Sequence, residues 1–118
     1  MANITLNEMD DAQFNAYVPF VKDLFAQIVI NCGVALQRAT SYSQKAIDAI
    51  LEQGRETQGH YFFVAHKDKE TIGHLWLALE TDKLNMRRVF IYMVDVLPEH
   101  RYNGYAMEML KFANGFRE

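Results

Sequence analysis

Val89 to Leu97 reads as one long strand, apolar on both faces, with Asp95 as its single charge. A strand with one wet face alternates polar and apolar residues. A strand apolar on both faces belongs in the middle of a sheet with helices on each side. Pro98-Glu99-His100 ends the run. From Gly104 onward Ala106, Met107, Leu110 and Ala113 recur at helical spacing. Any fold for this chain must therefore place a covered strand directly before a helix.

The residues upstream supply the rest of an α+β arrangement. Asn3 to Leu6 alternates and predicts a short first strand. Asp10 and Asp11 offer a cap and a first-turn acid for a helix carrying Phe14, Tyr17, Val18, Val21, Phe25 and Ile28. Pro19 predicts a kink or a restart in that helix, because it lacks an N–H and crowds the preceding turn. Asn31-Cys32-Gly33 is the expected stop. A second helix is expected from about Ser43 to Gln53, capped by Ser41 or Ser43 and ended by Gly54, while Val34 to Tyr42 stays ambiguous. His60 to His66 and Thr71 to Leu79 predict two strands of a hairpin around the polar turn Lys67 to Glu70, and Thr81 to Met86 reads as a loop. The order is β-α-α-β-β-β-α.

Composition narrows the function classes. A chain of 118 residues has room for one domain, and 50% apolar content argues against disorder. Twelve Lys and Arg against 15 Asp and Glu give a net charge of −3, so nothing points to nucleic acid. The lone Cys32 excludes an intrachain disulfide and a cysteine zinc cage. The four histidines, His60, His66, His74 and His100, lack metal-ligand spacing, and His66 with His74 reads as a cross-strand pair. No metal site is expected. Met1 to Asp11 carries no signal peptide, and the apolar-rich stretch Leu24 to Leu36 is interrupted and too short to span a bilayer. The expectation is a cytoplasmic protein without membrane contact.

One junction carries chemistry: Val94-Asp95-Val96-Leu97-Pro98-Glu99-His100-Arg101-Tyr102-Asn103-Gly104-Tyr105-Ala106. A strand runs through a short Arg- and Gly-containing loop into a helix. The first turn of a helix has unpaired N–H groups and partial positive charge, which suits a phosphate or pyrophosphate. The junction has one Gly where the dinucleotide fingerprint needs three, and no Gly-Lys-Ser/Thr follows as in a Walker loop.

The stretch resembles the acetyl-CoA-binding motif of the GNAT N-acetyltransferases, Gln/Arg-x-x-Gly-x-Gly/Ala, at Arg101, Gly104 and Ala106. The approach through Val96-Leu97-Pro98-Glu99-His100-Arg101 is similar to the family's strand end, and the order of elements is similar throughout. The resemblance implies an α+β GNAT fold with a mixed, mostly antiparallel sheet. It implies a single domain over residues 1–118, equivalent to the N-terminal portion of the fold, and an N-acetyltransferase that moves the acetyl group of acetyl-CoA to a primary amine by direct attack. By position, Val94, Asp95 and Val96 would pair with the pantetheine arm. Arg101, Tyr102, Asn103, Gly104, Tyr105 and Ala106 would wrap the pyrophosphate. A backbone N–H near Val94 would polarise the acetyl carbonyl.

Asp95 and Tyr92 are the candidate catalytic residues, and strand alternation predicts them on opposite faces. Other readings stand beside these. Arg101 also reads as a partner of Glu99 or Glu108, Tyr92 as core, Asp95 as a strand-end support, and Met107 and Met109 as packing. A non-catalytic CoA-binding or small-ligand sensor module is the alternative function. The family normally continues beyond the helix after the motif, so the strand Val89 to Leu97 is expected to expose its outer edge. A shortened chain, a naturally short product and a homodimer covering that edge all satisfy this.

Overall fold

The computed structural model describes residues 4–116. Three helices and four strands follow in the order β1 (Thr5–Glu8), α1 (Asp11–Asn31), α2 (Leu36–Ile50), β2 (His60–Lys67), β3 (Glu70–Thr81), β4 (Arg87–Val96) and α3 (Tyr105–Gly115). The chain divides into two units, Asp10–Gln58 and the remainder.

The first unit is a helical pair. Asp10 closes the start of α1 with a capping box: its carboxylate accepts the Gln13 N–H at 2.8 Å, and the Gln13 side chain accepts the Asp10 N–H at 2.9 Å. α1 runs unbroken through Pro19. The expected restart is therefore absent, and the carbonyl that Pro19 leaves without its helical donor belongs to the exposed Asn15. α2 starts at Leu36, seven residues before the expected Ser43. The stripe that packs is Ala39, Ser43 and Ile47, so the apolar period extends upstream of the serines taken as caps. Ser43 is interior, and its hydroxyl donates to the Lys22 carbonyl of α1 at 2.6 Å. Lys22 reaches Asp48 at 2.7 Å on the same interface.

The second unit is a four-stranded sheet in the order β1-β2-β3-β4 with every neighbouring pair antiparallel. β1 lies two residues later than expected, and Asn3 of that expected strand falls outside the described residues. The β2–β3 hairpin turns at Asp68 and Lys69, both at positive φ (52° and 70°), the backbone of a two-residue turn matched to strand twist. Phe63, Ala65, Ile72, Leu75 and Leu77 line one face of the sheet and pack with Tyr105, Met109 and Ala113 of α3. Fully burying side chains such as Leu75, Leu77 and Met109 stabilises by about 2 kcal/mol each. Met107, expected in that packing, is instead exposed on the outer side of α3.

β4 corrects the starting expectation. Among the described residues it pairs with β3 alone and is an edge of the sheet, as the expected exposed outer edge has it, and not the middle strand that its two apolar faces suggested. Its residues are accordingly half-buried rather than fully buried from Ile91 to Val96.

Candidate active site

The site begins with register. β3 and β4 pair His74 with Asp95, Leu75 with Val94 and Trp76 with Met93, and then Leu77 with Ile91. Tyr92 is the extra residue of a β-bulge. A bulge places two residues opposite one and resets the alternation of side chains. Tyr92 thereby turns to the face that carries Asp95, and its ring stacks on Trp76 at 4.8 Å and 16°. Simple alternation put Tyr92 and Asp95 on opposite faces; the bulge brings them to one.

That face is aromatic with one carboxylate. Trp76 is 1% exposed, and its indole N–H donates to His60 Nδ1 at 2.9 Å. The imidazole of His60 also meets the Tyr92 ring at 5.0 Å, and Phe90 follows at 5.1 Å from Tyr92. Burial pushes the His60 pKa below its ordinary value, against an opposing pull from Glu80, so the ring stays neutral with Nδ1 as acceptor. Burial, with Glu80 adding to it, raises the Tyr92 phenol, which stays protonated at neutral pH.

Asp95 is held from the neighbouring strand. Its Oδ2 accepts from His74 Nδ1 at 3.0 Å, and its side chain is 9% exposed. His74 faces Asp95 and Val64, so the expected pairing of His66 with His74 is not formed; His66 sits opposite Thr71. Gly73 lets the strands approach there, since a Cβ on it would lie 2.1 Å from the Asp95 carbonyl oxygen.

The Leu97 N–H donates to the Ile72 carbonyl at 2.8 Å. Successive residues of an antiparallel strand turn their backbone groups alternately toward and away from the partner. Val94 and Val96 thus direct N–H and C=O to the free edge of β4. Arg101 Nε donates to the Val96 carbonyl at 3.0 Å, so this side chain folds back on the strand end instead of pairing with Glu99 or Glu108. Pro98–His100 forms one 3-10 turn, and Asn103 Nδ2 donates to the carbonyls of His100 and Arg101 at 3.0 and 3.2 Å. Tyr102, fully exposed, and Gly104 take positive φ (68° and 80°) and aim the chain into α3.

Gly104 caps α3 with no side-chain hydrogen bond, in contrast to the closed capping box of α1. α2 is likewise open at Ala35, so an open end alone does not single out α3. What distinguishes α3 is continuity: a free strand edge, a tight loop and first-turn N–H groups at Tyr105 and Ala106 follow within 13 residues of one another, from Val94 to Ala106. A Cβ on Gly104 would meet nothing within 4 Å, so there is room at this corner for a ligand group. Sequence reasoning found this junction. It missed His74 as the partner of Asp95 and His60 as the partner of Trp76, since neither pairing has a local sequence signal.

The family model for the GNAT acetyltransferases matches residues 29–114. The chain belongs to the GNAT acetyltransferase family. It is, by that membership, an acetyl-CoA-dependent acetyltransferase. It is similar to the uncharacterized N-acetyltransferase YdgE of Bacillus subtilis, with 29% identity over 110 residues covering 91% of this chain and 69% of the relative. The crystal structure of YycN, an acetyltransferase of Bacillus subtilis, superimposes with a TM-score of 0.83 at 25% identity, covering 92% of this chain and 70% of that one. An acetyltransferase of Clostridium acetobutylicum solved with acetyl-CoA shares the fold at TM-score 0.52 and 16% identity, over 94% of this chain and 71% of that one. Among the described residues no helix is long and apolar enough to cross a membrane, and no three His, Cys, Asp or Glu side chains gather where they would hold a metal.

Proposed function

We propose that this GNAT protein transfers the acetyl group of acetyl-CoA to a primary amine by direct attack while both are bound. The observation that carries the reading is the continuous run from the free edge of β4 to the uncapped start of α3. Val94, Asp95 and Val96 would hold the pantetheine arm along that edge, toward which the backbone groups of Val94 and the N–H of Val96 point, the Val96 carbonyl being taken by Arg101. Backbone N–H groups from Arg101 to Ala106, aided by the positive end of α3, would hold the pyrophosphate. The structure of the Clostridium acetobutylicum relative with acetyl-CoA supports the choice of ligand.

The Val94 N–H is the dipole in reach of a carbonyl lying on this edge, and a fixed dipole there stabilises the oxyanion that develops during attack. On the aromatic face, Asp95 takes one proton from the acceptor ammonium. The amine nitrogen then forms the C–N bond to the thioester carbon and the C–S bond breaks. The second proton passes from the nitrogen to the Tyr92 phenol as the phenol gives its own proton to the CoA sulfur, so Tyr92 ends protonated. The products are an acetamide, free CoA and one proton held on Asp95. Holding both reactants in one place supplies the orientation. Cys32 is exposed and has no part in this route.

Calorimetric titration with acetyl-CoA tests the placement. Arg101→Glu and Gly104→Asp should each weaken binding at least tenfold by putting negative charge at the corner, while thermal unfolding shows the variants folded. Unchanged affinity in both would remove residues 101–106 from the site.

A further inference from the structure

Asp95 holds one oxygen in use and one idle. Oδ2 is bound to His74, but Oδ1 is buried and lacks a hydrogen-bond partner among the described residues. A buried carboxylate oxygen without a donor is costly, and native structures keep such groups chiefly where a ligand or function uses them. On the same face lie the stacked rings of Trp76 and Tyr92 and the half-exposed Phe90. An ammonium supplies both the donors and the charge that Oδ1 lacks, and an apolar or aromatic stem suits a wall of rings.

We propose that Asp95 Oδ1 is the docking point for the acceptor's ammonium, that His74 is the positioning residue that fixes the carboxylate through Oδ2, and that the acceptor class is a primary ammonium on an apolar, preferably aromatic, stem lying along Tyr92 and Phe90. This deepens the acetyl-transfer reading and rests on it. His74 sits on β3, paired on both sides by β2 and β4, so its ring is anchored by the interior of the sheet. A carboxylate pinned at one oxygen presents the other in a fixed direction, which spares the ordering cost when the amine binds. The β-bulge is what makes the surface continuous, because it alone turns Tyr92 toward Asp95.

The test titrates 2-phenylethylamine into the protein saturated with free CoA, which lacks an acetyl group and so gives binding without turnover. Native protein should bind the amine, and ethanolamine, equal in charge but without a ring, should bind at least tenfold more weakly. Asp95→Asn, kept saturated with CoA, should weaken 2-phenylethylamine at least tenfold. His74→Leu should do the same. His74→Asn, which keeps a donor toward Oδ2, should stay within about threefold of native. Native-like amine affinity in Asp95→Asn, or equal affinity for the two amines, overturns the proposal. His74→Asn as weak as His74→Leu would make the imidazole itself the contact and overturn the positioning role. Failure of the native protein to bind CoA would instead overturn the acetyl-CoA reading, and the proposal with it.

Discussion

Gly73→Ala isolates the close approach that seats Asp95. The added Cβ would lie 2.1 Å from the Asp95 carbonyl oxygen and 3.1 Å from its carbonyl carbon, where ordinary contact begins at 3.4 Å. The obstacle is backbone, so no side-chain rotation relieves it. β3 and β4 must separate locally by more than 1 Å, which weakens the neighbouring bond from Leu97 N–H to the Ile72 carbonyl. Overpacking of this kind costs about 1–3 kcal/mol, and the shortfall here argues for the upper end. Ala loses less backbone freedom on folding than Gly, which returns roughly 0.5–1 kcal/mol in a strand. The net loss is about 2 kcal/mol, equivalent to a fall in melting temperature on the order of 8 °C for a domain of this size. Thermal unfolding followed by circular dichroism reads it directly. Gly104→Ala is the control: it carries positive φ but open space, so it should cost only about 1 kcal/mol of backbone strain. A Gly73→Ala protein as stable as native, or more stable than Gly104→Ala, would refute the steric account of the β3–β4 approach.

Two further outcomes follow from the same geometry. Lys69→Gly should stabilise the protein by about 0.5–1 kcal/mol, because Lys69 holds φ of 70° in the β2–β3 turn where Gly pays no steric penalty; an unchanged or lower melting temperature would count against strain there. His60 has a folded pKa below its unfolded value of 6.5, so the folded state binds fewer protons than the unfolded state as pH drops below 6.5, and stability is lost as pH falls through the folded pKa. His60→Gln should lessen the drop in urea midpoint between pH 7.5 and 5.5, and an identical drop in both proteins would show that His60 is not its source.

Much of the fold was legible because local pattern and burial agree. The aromatic and β-branched runs at His60–His66 and Val89–Leu97 formed strands, and Asp10 capped the helix it was expected to cap. The start of α2 was not legible. Ser41 and Ser43 have cap chemistry, but Ser43 was recruited to the α1 interface, and only a facing carbonyl at Lys22 decides between those uses. The central placement of β4 failed for a related reason. Two apolar faces say that a strand is covered, while the number of its hydrogen-bonded neighbours is set by topology.

The candidate site divides the same way. The sequence by itself determined the strand–loop–helix junction from Val94 to Ala106, because Gly104, Arg101 and the apolar run act through neighbours a few positions away. It also supplied Asp95 and Tyr92 as chemically able residues. Only the tertiary structure decided that these two share a face, that His74 grips Asp95, and that Trp76 and His60 wall the surface beside them. The physical reason is the bulge: one extra residue in β4 changes which side chains meet, and strand pairing, not sequence period, determines where that residue falls.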